Sequence, residues 1–380
     1  MVLFKMEKIN IGVIVHGPGI VDTGYARKII ELLANYGNVS CKLGGTMGRT
    51  AVIDAKLEDV IDIKEKLLPS QSIKKLSESN DILFLLNYGK STITGHTFGY
   101  KVYNNAGDVK LVQIERPGED DASIIIWKEN EYHELIDEIS KKLAIPISSS
   151  EDASKIVKDL TGYDTQNSTI KRKVAGVSPG ENIMLNGIII GKVTDNELTI
   201  IAEDNKITRM IGGNIKEHGL EKLGRIDLDS AIIKTGLLRK AENIIPRSIE
   251  HVQNKNLKAV LLNHAAEDIY KYKDADILVS IGDDTTLLSS DILYRFNVPI
   301  IGITDGDLDK VVEEGFKLDD SMIIQLESGY DDIIGNKIYE DLFKKDNCII
   351  IESIEEFKKE IISIIDAYGI EYHFVEKQLS

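Results

Sequence analysis

The residues best suited to chemistry are two acidic clusters, each at the end of a predicted strand. Residues 282–286 (GDDTT) follow the apolar run 277–281, and residues 305–309 (DGDLD) follow the apolar run 299–304. A helical period over residues 286–296 separates the clusters, so the segment is typical of a β-α-β unit in a parallel sheet. Ligands bind beyond the carboxyl ends of such strands, so both clusters are predicted to face a ligand.

The first cluster favours the binding of a phosphate through a divalent metal ion. Asp283 and Asp284 supply hard oxygens that can hold Mg²⁺ or accept a proton from a hydroxyl, and they are the predicted catalytic residues. A metal ion is expected because two adjacent carboxylates would otherwise repel a phosphate. Gly282 leaves room for backbone amides, while Thr285 and Thr286 can cap the helix and contact the phosphate.

The second cluster would complete the metal site. Alternate carboxylates such as Asp305, Asp307 and Asp309 can surround one divalent cation, although no glutamate completes an EF-hand loop. The predicted metal ligands are Asp283, Asp305 and Asp307. The alternative is structural, because a helix cap followed by solvated acidic turns would use the same residue types.

Three glycine-rich loops in the first part of the chain also follow predicted strands. Residues 16–24, 44–50 and 87–95 combine Gly with small polar residues, and Arg49 adds a guanidinium. Backbone amides and a guanidinium suit an anion, so the loops predict a site for a nucleotide, a dinucleotide or another small anionic ligand. The predicted binding residues are His16, Gly17, Gly44, Gly45, Thr46, Gly48, Arg49, Thr50, Lys90 and Ser91.

Residues 89–91 (GKS) match only the tail of a phosphate-binding loop. The full Walker A pattern requires Gly at position 84, which is Phe, so that motif is excluded. Arg116 is a further site candidate, whereas His96 is interpreted as a surface or structural residue and Cys41, within a predicted strand, as a core residue. The loops therefore indicate a ligand-binding cleft, but the identity of the ligand does not follow from them.

The charge and the cysteine content exclude several classes of protein. A net charge of −16 over 380 residues argues against a nucleic-acid surface, which needs clustered Lys and Arg, and against binding to an anionic membrane. Cys41 and Cys348 form no disulfide framework or zinc motif, which fits a reducing cytoplasm. No apolar run suggests a signal peptide or a membrane span, so we predict a cytoplasmic protein that could form a homo-oligomer.

The order of predicted elements indicates an α/β protein with three parts. Residues 1–147 and 250–380 alternate strands and helices and predict two Rossmann-like domains with mostly parallel sheets. Between them, residues 170–240 predict a small antiparallel β module of about four strands, because Asn186-Gly187 suits the type I′ turn of a hairpin. Residues 146–150 are polar and are predicted to be a linker.

Residues 281–288 (IGDDTTLL) and 298–303 (VPIIGI) resemble the nucleotide-binding core of NAD kinases and diacylglycerol-kinase-like proteins. That family has a G-G-D-G-T-L-L turn before a helix and then a V-P-hydrophobic-G-I strand. Asp283 corresponds to the family's aspartate, and Asp284 stands where the family has Gly. The resemblance implies a Rossmann-like fold with a nucleotide near Asp283.

Short stretches spread along the chain carry a second resemblance: residues 15–18 (VHGP), 22–24 (DTG), 43–51 (LGGTMGRTA), 115–118 (ERPG), 216–221 (KEHGLE) and 282–286 (GDDTT). They make the chain similar to an uncharacterised archaeal protein family known mainly from methanogens and their relatives. This resemblance implies an archaeal cytoplasmic source and supplies no activity.

Three interpretations of function remain open. The first is an enzyme that transfers a phosphoryl group or processes a nucleotide with the help of Mg²⁺. The second is a non-catalytic binding or regulatory protein that holds a small anionic metabolite. The third is an assembly partner in archaeal energy metabolism, which rests only on the distribution of the resembling family.

Overall fold

In a computed structural model, the chain forms two compact units, Met1–Ile244 and Ile245–Ser380. The structure describes residues 9–160, 164–166, 169–174, 177–186, 188–228, 231, 233–236, 239, 244–250, 255–263, 266–306 and 316–375. Each unit contains a sheet dominated by parallel strands, and the first unit also contains two antiparallel sheets. The α/β class is therefore confirmed, whereas the domain limits 1–147, 170–240 and 250–380 remain a prediction.

The main sheet of the first unit has the strand order β2-β1-β3-β4-β5-β6. Its strands are β1 (Ile9–His16), β2 (Gly37–Gly44), β3 (Ile82–Asn87), β4 (Leu111–Glu115), β5 (Ser123–Ile126) and β6 (Ile147–Ser149). Strands β1 to β4 run parallel, while β5 runs antiparallel to β4. Strand β3 is buried along its whole length, as expected for the interior of a parallel sheet whose two faces are covered.

The helices of this sheet return the chain to the same sheet edge after each parallel strand. They are α1 (Gly19–Asp22), α2 (Tyr25–Leu33), α3 (Arg49–Asp54), α4 (Pro69–Ser77), α5 (Thr92–Ala106), α6 (His133–Leu143) and α7 (Ser150–Leu160). Helix α2 buries Ala26, Ile29, Ile30 and Leu33, which is the helical spacing visible in the sequence. The carboxyl ends of β1 to β4 consequently lie side by side.

The predicted linker at residues 146–150 is wrong. Ile147–Ser149 forms β6, which pairs in parallel with β5. The Ser149 hydroxyl then accepts a hydrogen bond from the backbone N–H of Asp152 at 3.1 Å, close to the start of α7. An edge strand needs a partner on one side only and can be short and polar, so its sequence does not show the apolar run of a central strand.

The antiparallel part of the first unit contains two four-stranded sheets, twice the number of strands predicted. Their orders are β13-β10-β9-β14 and β12-β11-β8-β7. The elements are β7 (Asp164–Gln166), β8 (Thr169–Val174), β9 (Asn182–Leu185), β10 (Ile188–Val193), β11 (Leu198–Glu203), β12 (Lys206–Ile211), β13 (Gly213–Ile215), α8 (Glu217–Leu223) and β14 (Ile233–Thr235). Asn186 has a φ of +47°, as the predicted β9–β10 hairpin turn requires.

The second unit is built on one sheet with the order β19-β15-β16-β17-β18-β20. Its elements are β15 (Leu257–Asn263), a 3-10 helix (Ala266–Tyr272), β16 (Ile277–Ile281), α9 (Asp283–Tyr294), β17 (Ile300–Thr304), β18 (Met322–Leu326), α10 (Asp331–Asp341), β19 (Cys348–Ile351), α11 (Ile354–Tyr368) and β20 (Tyr372–Phe374). Strands β15 to β18 are parallel, and antiparallel strands form both edges. None of the helices in the described part of the chain is long and apolar enough to cross a membrane.

Helix α9 places polar side chains inside the second unit. Thr286 is fully buried, and its Oγ1 lies 2.8 Å from the Oγ of Ser280 on β16. Asp291 and Arg295 form a buried pair. Nη1 of Arg295 donates to the backbone carbonyl oxygen of Asp291 at 2.5 Å and lies 3.4 Å from the side-chain Oδ2 of Asp291. The contact between Thr286 and Ser280 therefore joins the beginning of the helix to the sheet. The contact between Arg295 and Asp291 satisfies a backbone carbonyl in the last turn of the helix.

We expect Asp291→Ala to destabilise the protein, because the Arg295 side chain is only 1% exposed and would lose the adjacent carboxylate. Removing one partner of a buried ion pair costs about 3–5 kcal/mol, which should clearly lower the midpoint of urea unfolding. The matched control is Asp341→Ala, which removes an exposed partner of Lys337 in α10 and should cost less than about 0.5 kcal/mol. Equal losses in both variants would contradict a stabilising role for the buried pair.

Candidate functional site

The carboxyl edge of the first sheet brings together the final residues of four parallel strands. His16 ends β1, Gly44 ends β2, Asn87 ends β3 and Glu115 ends β4. His16 is in register with both Gly44 and Asn87, and Asn87 is in register with Glu115. Neighbouring strands lie about 4.8 Å apart, so three polar side chains stand in a row across this edge.

The row is a continuous chain of hydrogen bonds. Nδ1 of His16 lies 2.7 Å from Oδ1 of Asn87, and Nδ2 of Asn87 donates to Oε2 of Glu115 at 2.7 Å. Gln113 donates to the same Glu115 oxygen at 2.6 Å, and Trp127 Nε1 donates to Oε1 of Gln113 at 2.9 Å. We call these five residues, His16, Asn87, Glu115, Gln113 and Trp127, the polar relay.

Glu115 anchors the polar relay as a carboxylate buried within the protein. It is 0% exposed, and its Oε1 accepts a third hydrogen bond from the backbone N–H of Gly89 at 2.6 Å. Burial raises the pKa of Glu115 above its ordinary value, while the N–H groups of Asn87, Gly89 and Gln113 oppose that rise because they stabilise the charged form. A group that accepts three hydrogen bonds fixes the direction of each donor.

The direction of these hydrogen bonds determines the tautomer of His16. Because the Asn87 amide nitrogen donates to Glu115, its oxygen faces His16, so Nδ1 of His16 carries the proton and donates. Nε2 then holds a free lone pair, and no residue in the described part of the chain makes a hydrogen bond to it. Burial lowers the pKa of His16 to about 4, although the hydrogen bond to Asn87 acts in the opposite direction. The imidazole is therefore a neutral hydrogen-bond acceptor.

Two glycines of α5 allow the helix to lie directly on the polar relay. A Cβ at Gly95 would be 2.1 Å from Cδ of Glu115, and a Cβ at Gly99 would be 1.6 Å from Oε1 of Gln113. Both distances are far below van der Waals contact, so any larger residue would displace the relay. Phe98, between these glycines, stacks on the His16 ring with the ring centroids 3.8 Å apart. The helix thus fixes the plane of the imidazole as well as excluding water beneath it.

The loops after β1 and β2 border open space next to the polar relay. Gly17 and Gly45 adopt φ angles of +76° and +85°, which favour glycine, and no described atom lies within 4 Å of where either Cβ would be. Gly48 lies against the carbonyl oxygen of Gly17 and brings the two loops together. The predicted glycines Gly17, Gly44, Gly45 and Gly48 therefore lie at one edge with His16.

The cations predicted to bind an anion have partners within the protein. Arg49 is 3% exposed and donates to the carbonyl oxygen of Glu65 at 3.1 Å. Lys90 Nζ lies 2.6 Å from Oε1 of Glu181 in the antiparallel part of the unit. Arg116 donates to Oδ1 of Asp121 at 2.8 Å and to the carbonyl oxygen of Gly89 at 2.6 Å. These three side chains therefore connect the loops to neighbouring parts of the unit through hydrogen bonds and ion pairs.

The hydroxyl residues predicted in these loops are placed differently. Ser91 is the N-cap of α5, where its Oγ accepts a hydrogen bond from the backbone N–H of Thr94 at 3.3 Å. Thr50 is 7% exposed and belongs to the first turn of α3. Thr46 is partly exposed in the loop after β2. Thr46 is therefore partly exposed like Ser91, but its hydroxyl does not cap a helix.

The acidic clusters lie in the second unit. Ile281 on β16 is in register with Ile303 on β17, and Asp283 and Asp305 each follow two residues later. The two carboxylates therefore extend from the same edge of neighbouring strands. Gly282 has a φ of +94° and begins the turn into α9.

The side chains of these clusters differ in exposure. Asp283 is 8% exposed, Thr285 is 4% exposed and Asp284 is partly exposed. Asp305 accepts a hydrogen bond on Oδ2 from the backbone N–H of Gly329 at 2.8 Å. Since the hydroxyl of Thr286 contacts Ser280 in the core, its role in phosphate binding stays a prediction.

A metal ion at the acidic clusters also stays a prediction. Asp307 and Asp309 lie outside the described residues, so only Asp283 and Asp305 of the proposed ligands can be placed. Within the described ranges, no group of three or more His, Cys, Asp or Glu side chains is arranged to hold a metal ion. The strand register places Asp283 and Asp305 on neighbouring strands, and the third predicted ligand, Asp307, lies outside the described residues.

Asn87, Glu115 and Gln113 are site residues that were not among the predicted binding residues, although Asn87 begins the predicted loop 87–95. Each lies in or directly after an apolar run, LLN at residues 85–87 or LVQIE at residues 111–115, and each is at most 4% exposed. A buried polar residue at the carboxyl end of a predicted parallel strand is a signal for such a site, because it must find a hydrogen-bond partner there. His16 was predicted, but its partners were not.

Residues 13–346 match the family model described as "Uncharacterized protein conserved in archaea (DUF2117)". The chain is similar to "Uncharacterized protein MJ0065" of Methanocaldococcus jannaschii, with 45% identity over 357 residues that cover 92% of this chain and 96% of the relative. No solved structure matches. The predicted resemblance to an archaeal family is confirmed, whereas the local likeness to NAD kinases stays a prediction.

We expect His16 to make the stability of the protein depend on pH between about 6.5 and 4. Its pKa in the folded state is about 4, below the ordinary value of 6.5 for histidine, so the folded state takes up this proton less readily than the unfolded state. The stability that neutral His16 contributes above pH 6.5 should therefore be lost as the pH falls through this window. The measurement is the free energy of unfolding of wild type minus that of His16→Gln at several pH values.

The matched control for this measurement is His133→Gln, which removes an exposed histidine on α6. The difference between wild type and His16→Gln should shrink on acidification, and it should change more than the difference for the control. A difference for His16→Gln that grows towards pH 4 would contradict the neutral tautomer, because it would mean that His16 stabilises the fold in its charged form.

Proposed function

The chain belongs to the archaeal family DUF2117, and we propose that the carboxyl edge of its first sheet binds a small molecule through Nε2 of His16. The observation that carries this proposal is the polar relay. The hydrogen bonds from Glu115 through Asn87 to His16 leave one nitrogen lone pair facing away from the relay. A ligand with a polarised O–H or N–H group is the complement of that lone pair.

The cost of the polar relay supports a functional role. Burying Glu115, Asn87 and Gln113 under a helix requires every donor and acceptor to be satisfied, and it requires glycine at two positions of α5. Apolar residues at these positions would complete the core with less constraint. Polar networks of this kind hold a reactive side chain in one orientation, as second-layer partners of histidine do elsewhere.

A His16 with a pKa of about 4 is suited to recognition. Efficient general bases have pKa values near the working pH, and an imidazole with a lower pKa holds a proton less strongly. Neutral imidazole nevertheless accepts a hydrogen bond well in a site that excludes water. We therefore propose that this edge binds a metabolite and that His16 recognises it as a hydrogen-bond acceptor.

Other aspects of the proposal rest on composition. A net charge of −16 supports a small-molecule occupant over nucleic acid. A cytoplasmic location and the capacity to form a homo-oligomer are carried into the proposal from the sequence expectations alone. They are separate from the geometry of the polar relay.

The second candidate function is Mg²⁺-assisted phosphoryl transfer or nucleotide processing at the acidic clusters of the second unit. The observation that favours it is the register of β16 and β17, which sets Asp283 and Asp305 at equal positions on neighbouring strands. Asp283 and Asp305 would hold Mg²⁺, which would supply positive charge to stabilise a phosphate. Asp284 would then accept a proton from a hydroxyl group.

For the first function, we expect ligands found in a thermal-shift screen to lose most of their effect on His16→Gln. A ligand that binds only the folded state raises the melting temperature by mass action, and loss of one buried hydrogen bond of about 1.5 kcal/mol weakens binding roughly tenfold. The screen would contain nucleosides, nucleotides, dinucleotides, sugars and amines. His133→Gln is the control, and ligands that stabilise His16→Gln as strongly as wild type would contradict the proposed site.

For the second function, we expect Mg²⁺-dependent stabilisation by a nucleotide to be lost in Asp283→Asn and in Asp305→Asn. Each substitution removes a metal-binding charge while keeping the size of the side chain. Asp341→Asn, an exposed substitution on α10, should retain the full shift. A nucleotide shift that is unchanged in both site variants, or that does not require the metal ion, would remove this candidate.

A further inference from the structure

The region around His16 offers hydrogen-bond acceptors and negative charge. Its carboxylates are Asp22, Asp54, Glu115, Glu119, Asp121 and Glu181. Asp22 is the last residue of α1, the helix after the β1 loop, and Asp54 is the last residue of α3, the helix after the β2 loop. Glu119 and Asp121 lie between β4 and β5, and Glu181 reaches the β3 loop from the antiparallel part of the unit.

Three cations that the structure describes near this edge, Lys90, Arg116 and Arg239, are held by those carboxylates or by backbone oxygens. Lys90 lies 2.6 Å from Glu181, and Arg116 lies 2.8 Å from Asp121. Arg239 is 9% exposed, donates to Oδ2 of Asp22 at 2.8 Å and lies 2.6 Å from Oδ2 of Asp54. The positive charge of each of these three groups is therefore neutralised by a carboxylate of the protein when no ligand is bound.

From this distribution, together with the tautomer of His16, we infer that the site at the first sheet takes a neutral or cationic ligand rich in hydrogen-bond donors, such as an amine or a guanidine. Nε2 would accept a donor N–H or O–H, and the six carboxylates, which outnumber Lys90, Arg116 and Arg239, would attract positive charge. The inference rests on the proposed function, because it assigns a ligand class to the same site. It differs from the sequence expectation of a small anionic ligand.

An anion at this edge would be opposed on two counts. Its charge would meet the lone pair of a neutral imidazole and a group of carboxylates, so the electrostatic energy of approach is unfavourable. Among the described residues of this edge, the donors left to it would be mainly backbone N–H groups and the Thr46 hydroxyl. Binding would require Lys90 to leave Glu181 or Arg116 to leave Asp121, and each exchange costs an existing ion pair.

The inference can be tested with small probes that differ mainly in charge. The full-length protein would be titrated with methylguanidinium chloride, methanol and methyl phosphate at constant ionic strength. The signal is the ¹⁵N chemical shift of His16 Nε2, assigned by comparison with His16→Gln. We expect methylguanidinium to shift Nε2 with a dissociation constant at least tenfold below that of methyl phosphate.

A charge variant makes the test sharper. Glu181→Gln removes the carboxylate that neutralises Lys90, so methyl phosphate should bind at least threefold more tightly and methylguanidinium more weakly than to wild type. The matched control is Glu131→Gln, which removes a similar partner from Lys110 at the beginning of β4, the opposite edge of the sheet. The control should leave both affinities unchanged.

The outcomes separate the ligand class from the site itself. Methyl phosphate binding as tightly as methylguanidinium would overturn the ligand class and leave His16 as the binding group. A Nε2 signal that responds to none of the probes would overturn both the ligand class and the proposed function. Unchanged affinities in Glu181→Gln would show that the charge of this edge does not select the ligand, which also contradicts the inference.

Discussion

The three hydrogen bonds accepted by Glu115 are the constraint on which the first unit depends. A fully buried carboxylate is tolerated only where N–H groups surround it, and here they come from Asn87, Gly89 and Gln113. These donors belong to the end of β3, its following loop and β4, so one side chain holds two strands and a loop in place. The polar relay to His16 follows from this arrangement. A carboxylate only accepts hydrogen bonds, so Asn87 directs its N–H to Glu115 and its oxygen to His16.

The same constraint explains why α5 contains glycine at residues 95 and 99. A helix that must lie on polar side chains needs to approach closely enough to exclude water, and a Cβ at either position would collide with Glu115 or Gln113. The sequence Gly95-x-x-x-Gly99 is thus matched to polar residues on a neighbouring strand. Two features that are far apart in the sequence depend on each other in the fold.

Much of the fold follows from local sequence, whereas most of the site does not. The strands Ile277–Ile281 and Met322–Leu326 are apolar runs bounded by turn residues, and their limits could be predicted. The polar strand β6 could not be, because an edge strand carries no apolar pattern. Similarly, His16 was visible as a polar residue after a strand, but Asn87 and Glu115 become its partners only through the register of β1, β3 and β4. Register is a tertiary property and has no local signature.

Trp127 is the sole tryptophan of the chain, and it lies at the far end of the polar relay from His16. Its indole N–H is held by Gln113, and its ring packs beside Tyr103 with the ring centroids 6.0 Å apart. Indole emission is sensitive to hydrogen bonding and to local charge. The protein therefore contains its own optical reporter, connected by four hydrogen bonds to Nδ1 of the imidazole whose Nε2 is proposed to bind a ligand. Events at the sheet edge can be followed by fluorescence without attaching a dye.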